Sequence, residues 1–347
     1  MPSAAQNPIP GHLKNKPEWY PATAKYGKPD IRRATWQLID TFVPYTALWA
    51  LMVLMLRNGY PYAIILALAI IAGGLLVRIF IIFHDCCHGS FFASRRANTV
   101  LGFITGILVF TAFDDWRRAH GRHHATFGDL DRRGTGDVWT MTVAEYRAAP
   151  PRTRLIYRIF RNPLILFGPG PVILFLIINR FPTSGAKRQD RISVLITDLG
   201  ILAVMSLAGL TIGLRTYLLI QLPIILVASS VGMWLFYVQH QFEGVYWARH
   251  GNWDPMRVAL EGSSYYQLPK VLQWFTGNIG LHHVHHVRPR IPNYRLQQCF
   301  DGTPALQAVR PLTLRGSLRS LRLNLWDEAQ HKLVSFRALE TLSKVSG

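Results

Sequence analysis

The sequence predicts an all-α integral membrane protein, with four transmembrane helices in two hairpins and a histidine-rich di-metal site at one membrane face. Three observations carry this. Four apolar stretches approach the roughly 20 residues needed to cross a bilayer. They come in pairs joined by very short links, and ten of the thirteen histidines gather beside their ends. Half of the 347 residues are apolar, yet the formal net charge is +19. That combination does not suit a soluble enzyme; it suits a membrane protein whose basic parts lie against anionic head groups. Such charge can also mean nucleic acid, but no nucleic-acid motif accompanies the apolar runs and no such partner is expected.

Residues 1–35 read as a cytoplasmic N-terminal segment, with four prolines before Trp19 and no apolar signal-peptide core. The first span is Phe42–Leu56, short enough to require extension back through Trp36 and Leu38. Arg57-Asn58-Gly59 links it to the second, Tyr60–Phe83. The third and fourth, Ile192–Gly213 and Thr216–Val238, are joined by Leu214-Arg215. Two further stretches fall short of a crossing. Val100–Phe113 is too brief, and Pro163–Ile178 is broken by Gly168-Pro169-Gly170-Pro171, so both are expected to be embedded without spanning.

Arg57 and Arg215 are the only basic residues in the short links, so the positive-inside rule puts both termini and every histidine cluster in the cytoplasm. Residues 36–302 form the membrane domain under this reading, and 303–347 a cytoplasmic tail. Leu314, Leu318, Leu321 and Leu325 make one helical stripe there, with Arg315, Arg319 and Arg322 off it. This reads as an amphipathic helix lying on the membrane or on the protein's own cytoplasmic cap. Cys86, Cys87 and Cys299 cannot all pair and read as reduced thiols.

The histidines fall into His84-x3-His88, His120-x2-His123-His124 and His282-His283-x-His285-His286, with His240 after the fourth span. On helices, spacings of three and four residues put side chains on one face. His283 is set aside because it points about 100° away from His282. Nine remain: His84, His88, His120, His123, His124, His240, His282, His285 and His286. A zinc site needs only three or four protein ligands, so nine imidazoles suit two ions. Imidazole alone does not choose among iron, zinc, copper and nickel. Asn278 lies one turn before His282 and could hold a metal-bound water. His12, His250 and His331 read as ordinary surface residues.

A ligating imidazole normally donates its other N–H to an acceptor. Asp85, Asp114, Asp115, Asp129, Asp131, Asp137, Glu243 and Glu261 lie near the clusters, but each taken singly is better explained by pairing with an arginine such as Arg117, Arg118, Arg132 or Arg133.

The words HDCCHGSFF (84–92), HHATFGDLDRRGTGDVWTMTV (123–143), FYVQHQFE (236–243) and WFTGNIGLHHVHH (274–286) resemble those of membrane fatty acid desaturases of the bacterial acyl-lipid type. The resemblance runs from about Pro44 to Trp326, and Cys87 stands where those enzymes commonly have glycine. It implies four transmembrane helices under a cytoplasmic helical cap holding two iron ions, with His240 as the extra histidine ahead of the third box. It implies an O2-dependent reaction that introduces a cis double bond into the acyl chain of a membrane lipid or acyl thioester, in the cell membrane. No haem-binding His-Pro-Gly-Gly occurs, so electrons are expected from a separate carrier, a ferredoxin or flavodoxin. Trp116, Trp139, Trp234, Phe236, Tyr237 and Trp247 could line an acyl tunnel, though packing or interfacial anchoring is the commoner role.

Two rival functions remain open at this point. A hydroxylase or other oxygenase of acyl chains could use the same scaffold. A non-enzymatic zinc protein or transporter would place ionisable groups in mid-membrane; here Asp198 is the main such residue, with Arg78 near one end.

Overall fold

A computed structural model describes residues 16–134 and 136–339. His12 and the first fifteen residues of the N-terminal segment lie outside the described residues, as does the end of the tail from 340. Among the described residues, four helices are long and apolar enough to cross a membrane: α1 (Ile31–Arg57), α2 (Tyr62–His88), α9 (Arg188–Thr211) and α10 (Leu214–His240). The chain is a multi-pass membrane protein. Asp30 opens α1 by accepting from the backbone N–H groups of Arg32 and Arg33. At 1.5 Å per residue, helices of this length run about 36–40 Å, beyond a hydrocarbon core of about 30 Å. Their ends therefore protrude. That is why α2 continues past Phe83 through His84 and His88, and α10 continues through His240.

The two shorter apolar stretches are not straight spanning helices. Val100–Phe113 is divided between α3 (Arg95–Leu108) and α4 (Phe113–Thr126), which meet at 98°. Beyond α5 (Val143–Ala148) and α6 (Pro151–Phe160), Pro163–Ile178 is cut into α7 (Pro163–Phe167) and α8 (Pro169–Leu176) at Gly168. Leu155, Ile159, Leu164, Ile173 and Ile177 of this region are exposed, an apolar surface suited to lipid.

Helix α2 is the hub, packing on α10, α3 and α1. Gly73 permits the close crossing with α10, since a Cβ there would lie 2.6 Å from Val227. The cap follows α10 in short pieces: α11 (Pro255–Glu261), β1 (Tyr265–Gln267), α12 (Lys270–Phe275), α13 (His282–Val287), α14 (Asn293–Asp301) and α15 (Pro304–Gln307).

The leucine stripe of the tail is not one helix, which corrects the expectation of a continuous amphipathic helix. Strand β2 (Pro311–Thr313) pairs in parallel with β1, then α16 (Leu314–Ser317) and a 3-10 turn (Leu318–Arg322) lead into β3 (Leu325–Asp327), antiparallel to β4 (Lys332–Val334). Backbone pairing explains the break. Asn324 N–H reaches the Val334 carbonyl and Trp326 N–H the Met141 carbonyl, so these groups are lost to a helix. Leu325 is buried in the cap while Leu314 and Leu318 stay exposed. Among the described residues the fold is thus mainly helical with two very short sheets.

Candidate metal centre

Four elements carry the nine histidines. The last turn of α2 places His84 and His88 on one face, and Gly89, in the left-handed region at φ 64°, stops the helix immediately afterwards. Helix α4 presents His120, His123 and His124; α10 ends on His240; α13 supplies His282, His285 and His286.

These side chains meet in two sets. In one, Nε2 of His285 lies 3.1 Å from Nε2 of His84 and 3.0 Å from Nε2 of His124, which is 3.1 Å from Nε2 of His120. The His88 ring completes it, with centroids 4.9 Å from those of His120, His124 and His285. In the other, Nε2 of His240 is 3.1 Å from that of His123 and 3.0 Å from that of His282, and the Nε2 atoms of His282 and His286 are 3.0 Å apart. One ligand atom from each of His84, His88, His120, His124 and His285 falls within 4.8 Å of the others, and the same is true of His123, His240 and His286. His282 adjoins this second group through its contacts with two of the three.

The donor chemistry fits metal ions. A neutral imidazole nitrogen offers either one hydrogen or one lone pair. Nε2 of His285, facing two further Nε2 atoms, cannot bond well to both. Nδ1 of His84 meets Asp85 Oδ1 at 3.1 Å, and Nδ1 of His123 meets Asp137 Oδ1 at 2.7 Å. Each carboxylate claims the Nδ1 proton and leaves a lone pair on Nε2, aimed into its set. Lone pairs gathered in this way repel one another unless a cation lies among them. Burial, then the neighbouring imidazoles, push His282, His285 and His286 well below the usual imidazole range, which keeps them neutral and able to ligate.

His283 lies outside both sets. Its Nε2 meets the Leu306 carbonyl at 3.1 Å and its ring packs beside Tyr265 and Phe300. Asn278 adopts φ 59° and donates from Nδ2 to the Asn293 carbonyl at 3.3 Å. His250 binds Asp129 at 2.8 Å, away from the centre.

Of the eight nearby carboxylates, Asp85 and Asp137 touch cluster imidazoles. The others pair with arginines: Asp114 with Arg117, Asp115 with Arg118, Asp129 with Arg132, Asp131 with Arg249, Glu243 with Arg319 and Glu261 with Arg257. For Asp85 and Asp137 the expectation of an arginine partner is therefore corrected. Arginine pairing is cheap where water and free guanidinium groups are available. These two acids are held instead against buried rings.

Among the six candidate aromatics, Trp116 stacks on His120 at 4.2 Å and 18°, and Phe236 lies 5.5 Å from His123 and 5.3 Å from His240. Trp139, Trp234, Tyr237 and Trp247 pack on Tyr157, Phe167, Phe167 and Trp326 respectively. Sequence reasoning missed Phe127, whose ring is 4.0 Å from that of His240, and Asn293, which supports Asp85. Phe127 follows His124 by three residues and could have been found by helical spacing. Asn293 carried no local signal.

Comparison with known proteins agrees with this geometry. Residues 59–310 match the family model described as fatty acid desaturase. A fatty acid desaturase of Bacillus subtilis (strain 168) is 49% identical over 91% of this chain and 90% of its own length. Two Synechocystis proteins, an sn-1 oleoyl-lipid 12-desaturase and an sn-1 acyl-lipid omega-3 desaturase (ferredoxin), are each 25% identical. They cover 65% and 70% of this chain, and 64% and 66% of their own lengths. Similarity at this level along nearly the whole chain, joined to the paired imidazole sets, decides the reaction: the chain belongs to the fatty acid desaturase family and is an enzyme of fatty acid desaturation.

Proposed function

We propose that this desaturase holds two iron ions, one on His84, His88, His120, His124 and His285 and the other on His123, His240, His282 and His286, with Asn278 contributing through a water. The convergence of Nε2 atoms into two sets is the observation that carries the reading. Iron bound there would supply O2 activation and the oxidising power for removing two hydrogens. The chain's own residues do the rest. Asp85 and Asp137 fix the tautomer and tilt of His84 and His123. Trp116, Phe127 and Phe236 wall the imidazoles with apolar rings, which limits water around the reacting carbons.

The substrate is the acyl chain of a membrane lipid, which receives a cis double bond; an acyl thioester is the alternative. The names of both Synechocystis relatives, acting on lipid-linked chains, support this, and the name of one supports ferredoxin as donor. An acidic carrier, a ferredoxin or flavodoxin, would be steered by the chain's net charge of +19. The enzyme sits in the cell membrane with its termini and metal centre on the cytoplasmic side, because the links between paired spans hold only Arg57 and Arg215 as basic residues.

Expression in a host lacking desaturases, with double bonds mapped by mass spectrometry and iron counted in the purified protein, tests the reading. New unsaturated chains and about two irons per chain, as for a nine-imidazole site, support it. A product heavier by one oxygen, or bound zinc without iron, defeats it.

A further inference from the structure

A cavity of about 310 Å³ opens between the starts of α1 and α12 and the cytoplasmic half of α2. Its walls include Arg33, Gln37, Asp40, Arg78, Lys270 and Trp274. Arg78 is committed within the protein. Its guanidinium pairs with Asp40 at 3.2 Å, donates to Thr41 Oγ1 at 2.9 Å and to the Trp274 carbonyl, and lies 4.3 Å over the Trp274 ring. Asp40 is neutralised by Arg78, and Arg33 shares Asp30 with Arg295 at 3.7 and 3.2 Å, so Lys270 and the surplus guanidinium charge leave the cavity cationic. Lys270 is exposed and has no ion-pair partner among the described residues. Gln37 is 3% exposed, and its Oε1 has no hydrogen-bond partner among the described residues although its Nε2 donates to Asn293 Oδ1.

The depth of the cavity is fixed by helix geometry. Asp40 lies seventeen residues from Arg57 and Arg78 sixteen from Tyr62, which is about 24–26 Å from the outer ends of α1 and α2. A hydrocarbon core of about 30 Å puts this level just inside the interface on the metal-bearing side. Trp36 and Trp274, both exposed at the rim, suit that depth.

We propose that this cavity is the head-group subsite for an anionic glycerophospholipid carrying a free head-group hydroxyl. Arg33 and Lys270 attract the phosphate, and the orphan Oε1 of Gln37 accepts from the hydroxyl. The subsite also adjoins the metal centre, since Asn293, bonded to Gln37, donates to Asp85, which holds His84. This inference rests on the lipid-linked reading of the substrate.

The test is native mass spectrometry of the purified full chain with phosphatidylglycerol and phosphatidylcholine of identical acyl chains. The unsubstituted protein prefers phosphatidylglycerol, and Lys270→Glu or Arg33→Glu lowers that preference roughly tenfold. Arg310→Glu, the same charge change away from the cavity, leaves it unmoved. Equal binding of both lipids, or a preference that neither cavity substitution alters, overturns the subsite. Displacement of the lipid by millimolar inorganic phosphate marks a free-phosphate site and overturns it too. A parallel assay offers the unsubstituted enzyme one acyl chain as phospholipid or as thioester. Product from the thioester alone defeats the lipid-linked reading, and with it the subsite's role, independently of the binding ratio.

Discussion

Asn293 donates both its backbone N–H and its side-chain Nδ2–H to one oxygen of Asp85, Oδ2, at 2.6 and 2.9 Å. The other oxygen of Asp85 meets Nδ1 of His84. A residue at the start of α14 thus holds the carboxylate that orients a histidine at the end of α2. Asp85→Asn removes the negative partner of the Nδ1 proton. Metal affinity is expected to fall about 10–100-fold, read as iron retained after chelator challenge. Asp137→Asn should act likewise through His123. Unchanged retention in both would show that the carboxylates do not tune the centre.

His123→Ala and His285→Ala each remove a member of a different set. Both variants should insert in the membrane and yield no detectable double bond. His283→Ala should be milder in product yield. Its ring holds the Leu306 carbonyl rather than facing either set, so the loss is expected in stability, about 1–2 kcal/mol. Equal loss of iron in the His283 variant would place that residue in the centre.

Arg161 is 2% exposed and binds no carboxylate among the described residues. It donates to Tyr237 Oη at 3.0 Å, Gln241 Oε1 at 2.8 Å and the Leu323 carbonyl, tying α10 to the tail. Arg161→Ala should destabilise by on the order of 3 kcal/mol, because several buried acceptors lose their donor. Arg161→Lys should not restore it, since one ammonium cannot reach acceptors spread across a planar fork. Thermal unfolding in detergent measures both.

A surface clasp should be acid-labile. Asp131 is held below the usual carboxylate range by the His250 backbone N–H and then by Arg249, and Glu328 is lowered by Arg249. Carboxylates lowered on folding stabilise above their unfolded values, near pH 4, and that contribution is lost as pH falls through the folded values. Hydrogen exchange at residues 128–133 and 249–250 should therefore accelerate below about pH 4. Exchange that does not change with pH, after correction for its intrinsic rate, would count against the clasp.

Much of this protein was legible because it is local. Apolar length located four spans, and spacings of three and four residues put His84 with His88, and His120 with His124, on common faces. The tail misled the same logic. Leu314 to Leu325 has helical spacing, yet its backbone groups find better partners in β4 and at Met141, which no periodicity reveals.

Sequence by itself determined the inventory of the proposed metal centre: nine imidazoles, their helical faces and their place at one end of paired spans. Tertiary structure alone decided how they gather, five in one group and three in another with His282 beside it, and which two of eight carboxylates touch them. It also joined Asn293 to Asp85 across 208 positions and left Gln37 with an unpartnered oxygen in a cationic cavity. The physical reason is range. A helix fixes neighbours within a turn or two through its own geometry, whereas the meeting of α2, α4, α10 and α13 depends on packing between segments far apart in the chain.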